Sequence, residues 1–200
     1  MNMESGDYSR LRAVMERLVV FSDLEWKMLL PMLRYKELAK GSLWISEQQR
    51  ERYVGFILEG NMRHYYTRDG EEKTTYFYFE NNLVSAYFSA ISGKPSRFSI
   101  EALTDCSLLV FPYSHLEQLY RTSATWERFG RLLAEYIATG LEDRMTELLM
   151  LSPEERYASL LRGNKDKIIE RIPQHYIANY LGITPVSLSR IRKRMMTKQA

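Results

Sequence analysis

The sequence predicts an α+β protein with helices at both ends and an antiparallel β region between them. Three observations carry that prediction. Apolar residues recur at helical spacing over the first forty positions and again after Tyr113. Between those stretches the apolar period is two, with turn residues at regular intervals. The chain then ends on a basic helical segment.

The first helix is expected in "YSRLRAVMERLVVF". Ser22-Asp23-Leu24-Glu25 has the form of a capping box and opens a second helix. Pro31 kinks or ends that helix, because proline lacks the N–H and clashes with the preceding turn. The runs "GSLWIS", "RYVGFILEG", "NMRHYYTRDG", "EKTTYFYFENN" and "SRFSIEALTDCSLLVF" are short and rich in β-branched and aromatic residues. Gly60-Asn61 and Asp69-Gly70 separate strands at spacings that suit tight hairpins. The expected result is an antiparallel sandwich or barrel of about six to eight strands.

From Thr125 to Leu151 one long helix is expected. It places Phe129, Leu132, Leu133, Tyr136, Ile137, Leu141, Met145, Leu148 and Leu149 at three- and four-residue steps. At about 100° per residue these cover more than half the helix circumference, whereas packing on one core needs a stripe of only about 100°. The helix therefore wants two partners: its own β domain and a second copy of the chain. Phe129, Leu133, Tyr136, Ile137, Gly140, Leu141, Met145 and Leu148 are the candidate dimer residues, with Gly140 allowing close backbone approach. Ser152-Pro153-Glu154-Glu155 is a second compact helix start and marks a domain boundary. No internal repeat or low-complexity segment is visible.

The terminal segment "IPQHYIANYLGITPVSLSRIRKR" holds two short apolar stripes. Ile177, Ala178 and Leu181 line a first helix, which Pro173 can begin and Gly182 can end in the left-handed conformation. Thr184 caps a second helix with Pro185 in its first turn, and Thr184, Leu188, Ile191 and Met195 share its packed face. Two helices joined by a short turn containing glycine describe a helix-turn-helix. Val186, Ser189, Arg190 and Lys193 lie opposite the packed face. Such a face suits a DNA major groove: Arg bridges guanine O6 and N7, Val meets a thymine methyl, and Lys193 and Arg194 hold phosphate.

Charge supports a polyanionic partner. The net charge is +3, but residues from Arg156 onward carry +8 and the preceding chain −5. Other classes are disfavoured. A single cysteine, Cys106, leaves no disulfide framework within the chain and no four-cysteine metal site. His64, His115 and His175 are far apart and lack the pattern of a metal-binding cupin barrel. There is no glycine-rich phosphate loop and no nucleophile elbow. Neither a membrane span nor a signal peptide is visible. The expectation is a cytoplasmic non-enzyme with no cofactor and no metal.

Taken together, the β region, the long apolar helix and the terminal helix pair resemble the Crp/Fnr family of bacterial transcription regulators. "FILEGNMRHYYTRDGEEKTTYFYFENNLVSAYFSAISGKPSRFSIEALTDCSLLVF" resembles the family's cyclic-nucleotide-binding-like barrel, and "IANYLGITPVSLSRIRKR" its DNA-binding segment. The wording "FENN…GKPSRFSIEAL" is similar to members from Bacteroidetes. The resemblance implies a jelly-roll-like antiparallel β-barrel (a double-stranded β-helix) over residues 1–122, with flanking helices. It implies a dimerisation helix over 123–151 and a helix-turn-helix domain over 152–200. The partners it implies are double-stranded DNA, a second copy of the chain, a small-molecule effector and RNA polymerase. The family's base-reading positions fall on Pro185, Val186 and Arg190, with Ser187 near phosphate. Gln174, at the start of the first helix, is assigned to the same surface.

The family's cyclic-nucleotide binders carry Gly-Glu-Leu-Gly and then Arg-Ser. This sequence reads Val84-Ser85-Ala86-Tyr87 and Ser96-Arg97. The ribose carboxylate is missing, and a one-residue offset on a strand turns the Arg to the other face. The resemblance therefore does not extend to binding cyclic AMP in the family's usual way. Val84, Ser85, Tyr87, Phe88, Ser96, Arg97 and Phe98 either line a pocket for another ligand or form packed core. A second reading keeps the sensing barrel but has the terminal helices contact a protein rather than DNA.

Overall fold

The structure is a computed structural model that describes residues 5–50 and 52–198. Its elements form two compact units. One comprises Met1–His64 and Phe77–Thr139; the other comprises Tyr65–Tyr76 and Gly140–Ala200.

In the first unit, α1 (Ser5–Met15) is followed by α2 (Asp23–Lys27). The Ser22 capping box is present in full: its hydroxyl accepts from Glu25 N, and the Glu25 carboxylate accepts from Ser22 N. Pro31 sits in a single 3₁₀ turn, Leu30–Met32, after α2 has already ended. Among the described residues eight strands follow: β1 (Arg34–Leu38), β2 (Leu43–Ile45), β3 (Tyr53–Glu59), β4 (Met62–Arg68), β5 (Glu71–Tyr78), β6 (Leu83–Val84), β7 (Ser99–Ala102) and β8 (Cys106–Pro112), with the short helix α3 (Tyr87–Ser92) between β6 and β7. They form two four-stranded sheets, ordered β1-β8-β3-β6 and β2-β7-β4-β5. Of the sandwich and the barrel that the sequence left open, the architecture is the two-sheet sandwich, with eight strands as a jelly roll has.

Alternation along the strands builds two cores. Leu108 and Val110 of β8 face the opposite sheet and pack with Trp44, Ile57, Met62, Val84 and Ile100. Leu109 and Phe111 of the same strand point the other way. They meet α1, α2, the short α4 (Tyr113–Thr122) and the start of α5 (Ala124–Met150) through Leu11, Trp26, Leu116, Trp126 and Phe129. Phe21 stacks against Trp126 at 4.4 Å between ring centroids.

The two glycine turns differ from each other. Asp69 and Gly70 have φ of 53° and 80° and close the β4–β5 hairpin, as their order predicts. Gly60-Asn61 is not a hairpin turn, because β3 and β4 lie in different sheets. Gly60 has φ of 94°, and a Cβ there would meet Asp105 O and Cys106 Sγ at 2.5 Å. It is required by a close approach at the corner where the chain changes sheet.

The second unit holds the hairpin tip, the C-terminal half of α5, and α6 (Pro153–Arg171), α7 (Gln174–Leu181) and α8 (Pro185–Lys198). Ser152 caps α6 through the expected capping box with Glu155. Tyr157, Ile168, Ile172, Ile177, Ala178, Leu181, Leu188 and Ile191 are among its buried apolar residues. Among the described residues, no helix is long and apolar enough to cross a membrane.

Candidate nucleic-acid interface and sensor site

The helix pair forms as its local chemistry dictates. Gly182 takes the left-handed conformation at φ 70°, and Ile183 N returns to Ala178 O at 3.0 Å to close α7. Thr184 then caps α8: its hydroxyl accepts from Ser187 N at 3.2 Å and its carbonyl from Leu188 N at 3.0 Å. Leu188 and Ile191 are buried and Met195 half-buried, so the packed face is the expected one; Thr184 is exposed and serves as the cap.

On the other side of α8, Pro185, Val186, Ser189, Arg190, Lys193 and Arg194 are exposed, as is Gln174 at the start of α7. Val186 is 61% exposed. Ser187 is half-buried, with its hydroxyl 3.1 Å from that of Thr184. Arg190, Lys193, Arg194 and Thr197 line an open recess of about 560 Å³. Arg194 pairs with Glu154 at 2.9 Å. The Arg190 and Lys193 side chains make no ion pair among the described residues. Two unneutralised cations on one helix face, beside an exposed valine and a serine, can bind a polyanion and touch its apolar groups at once.

Two arginines that sequence reasoning missed secure the end of α7. Arg144, from α5, donates to Tyr180 O at 2.8 Å and lies over the Tyr180 ring at 3.6 Å from its centroid. Arg156, from α6, donates to Leu181 O at 2.9 Å and to Leu151 O at 2.8 Å. Both cations sit where the helix dipole and its open carbonyls are negative. Glu147 accepts from Arg144 at 3.3 Å and also pairs with the Ser159 hydroxyl.

On α5, the structure separates the predicted dimer residues into two groups. Phe129 and Leu133 pack into the first unit's own core. Tyr136, Gly140, Leu141, Met145 and Leu148 are exposed and Ile137 is half-buried. Leu141, Met145 and Leu148 keep 67%, 57% and 48% of their surface open, at steps of four and three.

The seven sensor residues do not converge on one lining. Val84 and Phe98 join the core between the sheets, where Phe98 stacks on His64 at 3.8 Å. Tyr87 belongs to the other core, edge-on to Tyr113 at 6.2 Å. The Ser96 hydroxyl donates to Phe98 O at 2.8 Å, while Ser96 N and O bond the backbone of Gln49 and Gln48. Ser85 is half-buried. Phe88 and Arg97 are exposed, the guanidinium 6.0 Å from the ring. The sandwich interior is filled beside them: a Cβ on Gly55 would stand 3.1 Å from Val84 and 3.2 Å from the Trp44 ring. Burial pushes the His64 imidazole down to about 4, so the ring is neutral at physiological pH. Among the described residues, no group of three or more His, Cys, Asp or Glu is placed to hold a metal ion.

Residues 35–123 match the cyclic nucleotide-binding domain family. No curated protein matches the chain in sequence. Among solved structures, FixK2 from Bradyrhizobium japonicum aligns with a TM-score of 0.71 at 22% identity, over 84% of this chain and 86% of that one. A putative transcriptional regulator of the Crp/Fnr family from Eubacterium rectale aligns with a TM-score of 0.64 at 22% identity, over 89% and 85%. The c-di-GMP responsive global regulator CLP from Xanthomonas campestris gives 0.63 at 13% identity, over 89% and 93%. At these identities the likeness is one of fold: a sandwich whose residues 35–123 match the cyclic nucleotide-binding domain family, within a chain folded like these three proteins.

Proposed function

We propose that this chain is a dimeric, sequence-specific DNA-binding transcription regulator of the Crp/Fnr type. In this reading residues 1–122 sense a small molecule, 123–151 dimerise, and 152–200 form a helix-turn-helix domain. The observation that carries it is the outward face of α8, where Val186, Ser189, Arg190 and Lys193 are exposed together and the two cations make no ion pair among the described residues. Arg190 reads a base edge, Val186 meets a thymine methyl, and Lys193 and Arg194 hold phosphate, Arg194 exchanging Glu154 for the backbone. Pro185, Ser187 and Gln174 flank that contact. RNA polymerase is the further partner such a regulator engages.

Dimerisation follows from Leu141, Met145 and Leu148, whose spacing is that of a coiled-coil seam. The effector is not cyclic AMP bound in the family's usual way, because no carboxylate stands at Val84-Ser85-Ala86-Tyr87 and Arg97 is at the surface. The test is selection of binding sites from random duplex DNA at fixed salt, by wild type and Arg190→Ala. The wild type selects a two-fold motif with half-sites about one helical turn apart. Arg190→Ala loses preference at one base pair of each half-site and about tenfold or more in affinity. Identical motifs of equal strength from the two proteins would remove Arg190 as a base reader. No selection by either, with binding to a protein instead, would favour the protein-contact reading.

A further inference from the structure

The last turn of α7 is held at three successive residues by three different elements. Tyr180 O accepts from Arg144 of α5, and Leu181 O from Arg156 of α6. Asn179 is held by β5. Its side-chain amide donates to Glu72 O at 2.7 Å and accepts from Thr74 N at 2.6 Å.

The geometry of that third contact is specific. In a strand, the carbonyl of one residue and the N–H two positions on point to the same side. A neighbouring parallel strand satisfies both with the N–H and C=O of a single residue. The Asn179 carboxamide supplies that same donor and acceptor pair from a helix. β5 is the outer strand of its sheet, so this edge has no strand of its own to pair with. The two bonds also fix which way round the amide lies, since both Asn179 atoms would oppose like groups if it were flipped. Thr74 itself is 3% exposed, so the docked edge is closed to water at its Thr74 end, while Glu72 stays exposed.

We infer that Asn179 is a positioning residue that docks the β4–β5 hairpin onto α7 and thereby couples strand β5 to the aim of α8. β4 and β5 run unbroken from the sandwich unit into the hairpin tip, which belongs to the same compact unit as α7 and α8. The docking point lies three residues before Gly182, the turn that sets the direction of α8. The hairpin is thus a second connection, besides α5, by which a change in the sandwich reaches the helix pair. The docked arrangement leaves Val186, Ser189, Arg190 and Lys193 exposed; undocking would leave the aim of α8 unfixed and so weaken binding. This part rests on the DNA-binding reading above; the docking itself does not.

The experiment uses the full-length protein, its Asn179→Ala and Asn179→Asp variants, and the duplex that the wild type selects. Amide hydrogen exchange reports the docking and DNA affinity reports the coupling. Asn179→Ala is expected to speed exchange at Thr74 about tenfold or more while Ile177 and Leu188 amides keep their protection, so the helix pair stays folded. Affinity for the duplex falls by roughly five- to tenfold, near the low end of usual coupling, with the selected motif unchanged. Asn179→Asp keeps the acceptor for Thr74 N and loses the donor to Glu72 O, so it retains Thr74 protection and falls between the two in affinity. By reciprocity, adding duplex to the wild type slows Thr74 exchange. Thr74 exchange unchanged in Asn179→Ala would overturn the docking. Faster Thr74 exchange with unchanged DNA affinity would overturn the coupling. A wild type that selects no duplex overturns the DNA-binding reading and the coupling with it, and leaves the docking to be decided by Thr74 exchange.

Discussion

The sandwich unit and the helix-pair unit are held together by different physics. The first has two carbon cores, and Phe21, Phe56, Phe111, Trp126 and Phe129 are at most 1% exposed within the one on its helical side. In the second, the apolar set is smaller, and polar clasps do much of the joining: Arg144 and Arg156 on the carbonyls of α7, and Asn179 on the edge of β5. Carbon packing is non-directional and costly to disturb, whereas charge-assisted hydrogen bonds are worth less each but fix direction. On the proposed function, a unit that aims α8 at a partner gains from the second kind. α5 belongs to both, and beyond Gly140 its apolar residues lie open.

That open stretch gives the largest expected effect. In the proposed dimer, Leu141→Glu would place a carboxylate in the seam of a two-fold interface, and symmetry would place it there twice. An uncompensated buried charge costs about 3–5 kcal/mol, so self-association should be lost at micromolar protein while each chain stays folded. Light scattering measures the mass. A wild type of monomer mass, or a Leu141→Glu variant of dimer mass, would show that the stripe is not the interface.

Next comes the carbon core. Trp126→Ala leaves a cavity among Phe21, Phe129 and their neighbours and removes the indole donor from Glu25 O, a 3.2 Å bond. Loss of a buried aromatic side chain costs about 3–5 kcal/mol. Denaturant unfolding should show it, with Ile57 and Leu109 amides losing protection. A polar clasp should cost less. Arg144→Ala leaves Tyr180 O open and its ring uncovered, for about 1–3 kcal/mol, and the loss should be confined to α7 and α8. Equal deprotection of the sandwich by Arg144→Ala would erase the contrast between the units.

What was legible in the sequence follows the range of each interaction. Helix starts at Ser22, Ser152 and Thr184, the Asp69-Gly70 turn and the Gly182 stop depend on neighbours within a few residues, and each was readable. The face of α8 was readable for the same reason, since periodicity alone separates Leu188 and Ile191 from Val186 and Arg190. Gly60-Asn61 misled because a hairpin turn and a corner between sheets ask for the same residues, and only the partner strand tells them apart. Val84, Tyr87 and Phe98 are close in sequence, but Val84 and Phe98 enter one core and Tyr87 the other. Arg144, Arg156 and Asn179 read as solvated helix positions, and their partners lie 36, 25 and 105 residues away. No local pattern marks such bonds.

The smallest expected effect is a pH dependence that belongs to the sandwich unit alone. Hydrogen bonds from Thr125 and then Ser22 pull the Glu25 carboxyl down to about 2, and the Ser123 hydroxyl adds a third at 3.2 Å. Glu25 therefore closes the capping box of α2 and ties it to the start of α5. A group whose folded value lies below its unfolded value stabilises the fold in its deprotonated form, which for Glu25 is the charged one. For Glu25 that stabilisation is complete above about 4.5 and is lost as pH falls toward about 2. The neutral His64 has the same sign in a higher window: its contribution is complete above about 6.5 and is lost as pH falls toward about 4. Glu25→Gln keeps the shape and removes the charge, so it should flatten the stability profile between pH 4.5 and 2 and leave the slope between 6.5 and 4 intact. Thermal unfolding of the two proteins across that range measures it. Because Glu25 is partly open to water and its partners are neutral hydroxyls and one N–H, the change should be modest. A Glu25→Gln profile parallel to wild type down to pH 2 would mean that the tie between α2 and α5 rests on Trp126 and its carbon neighbours, with the carboxylate contributing nothing.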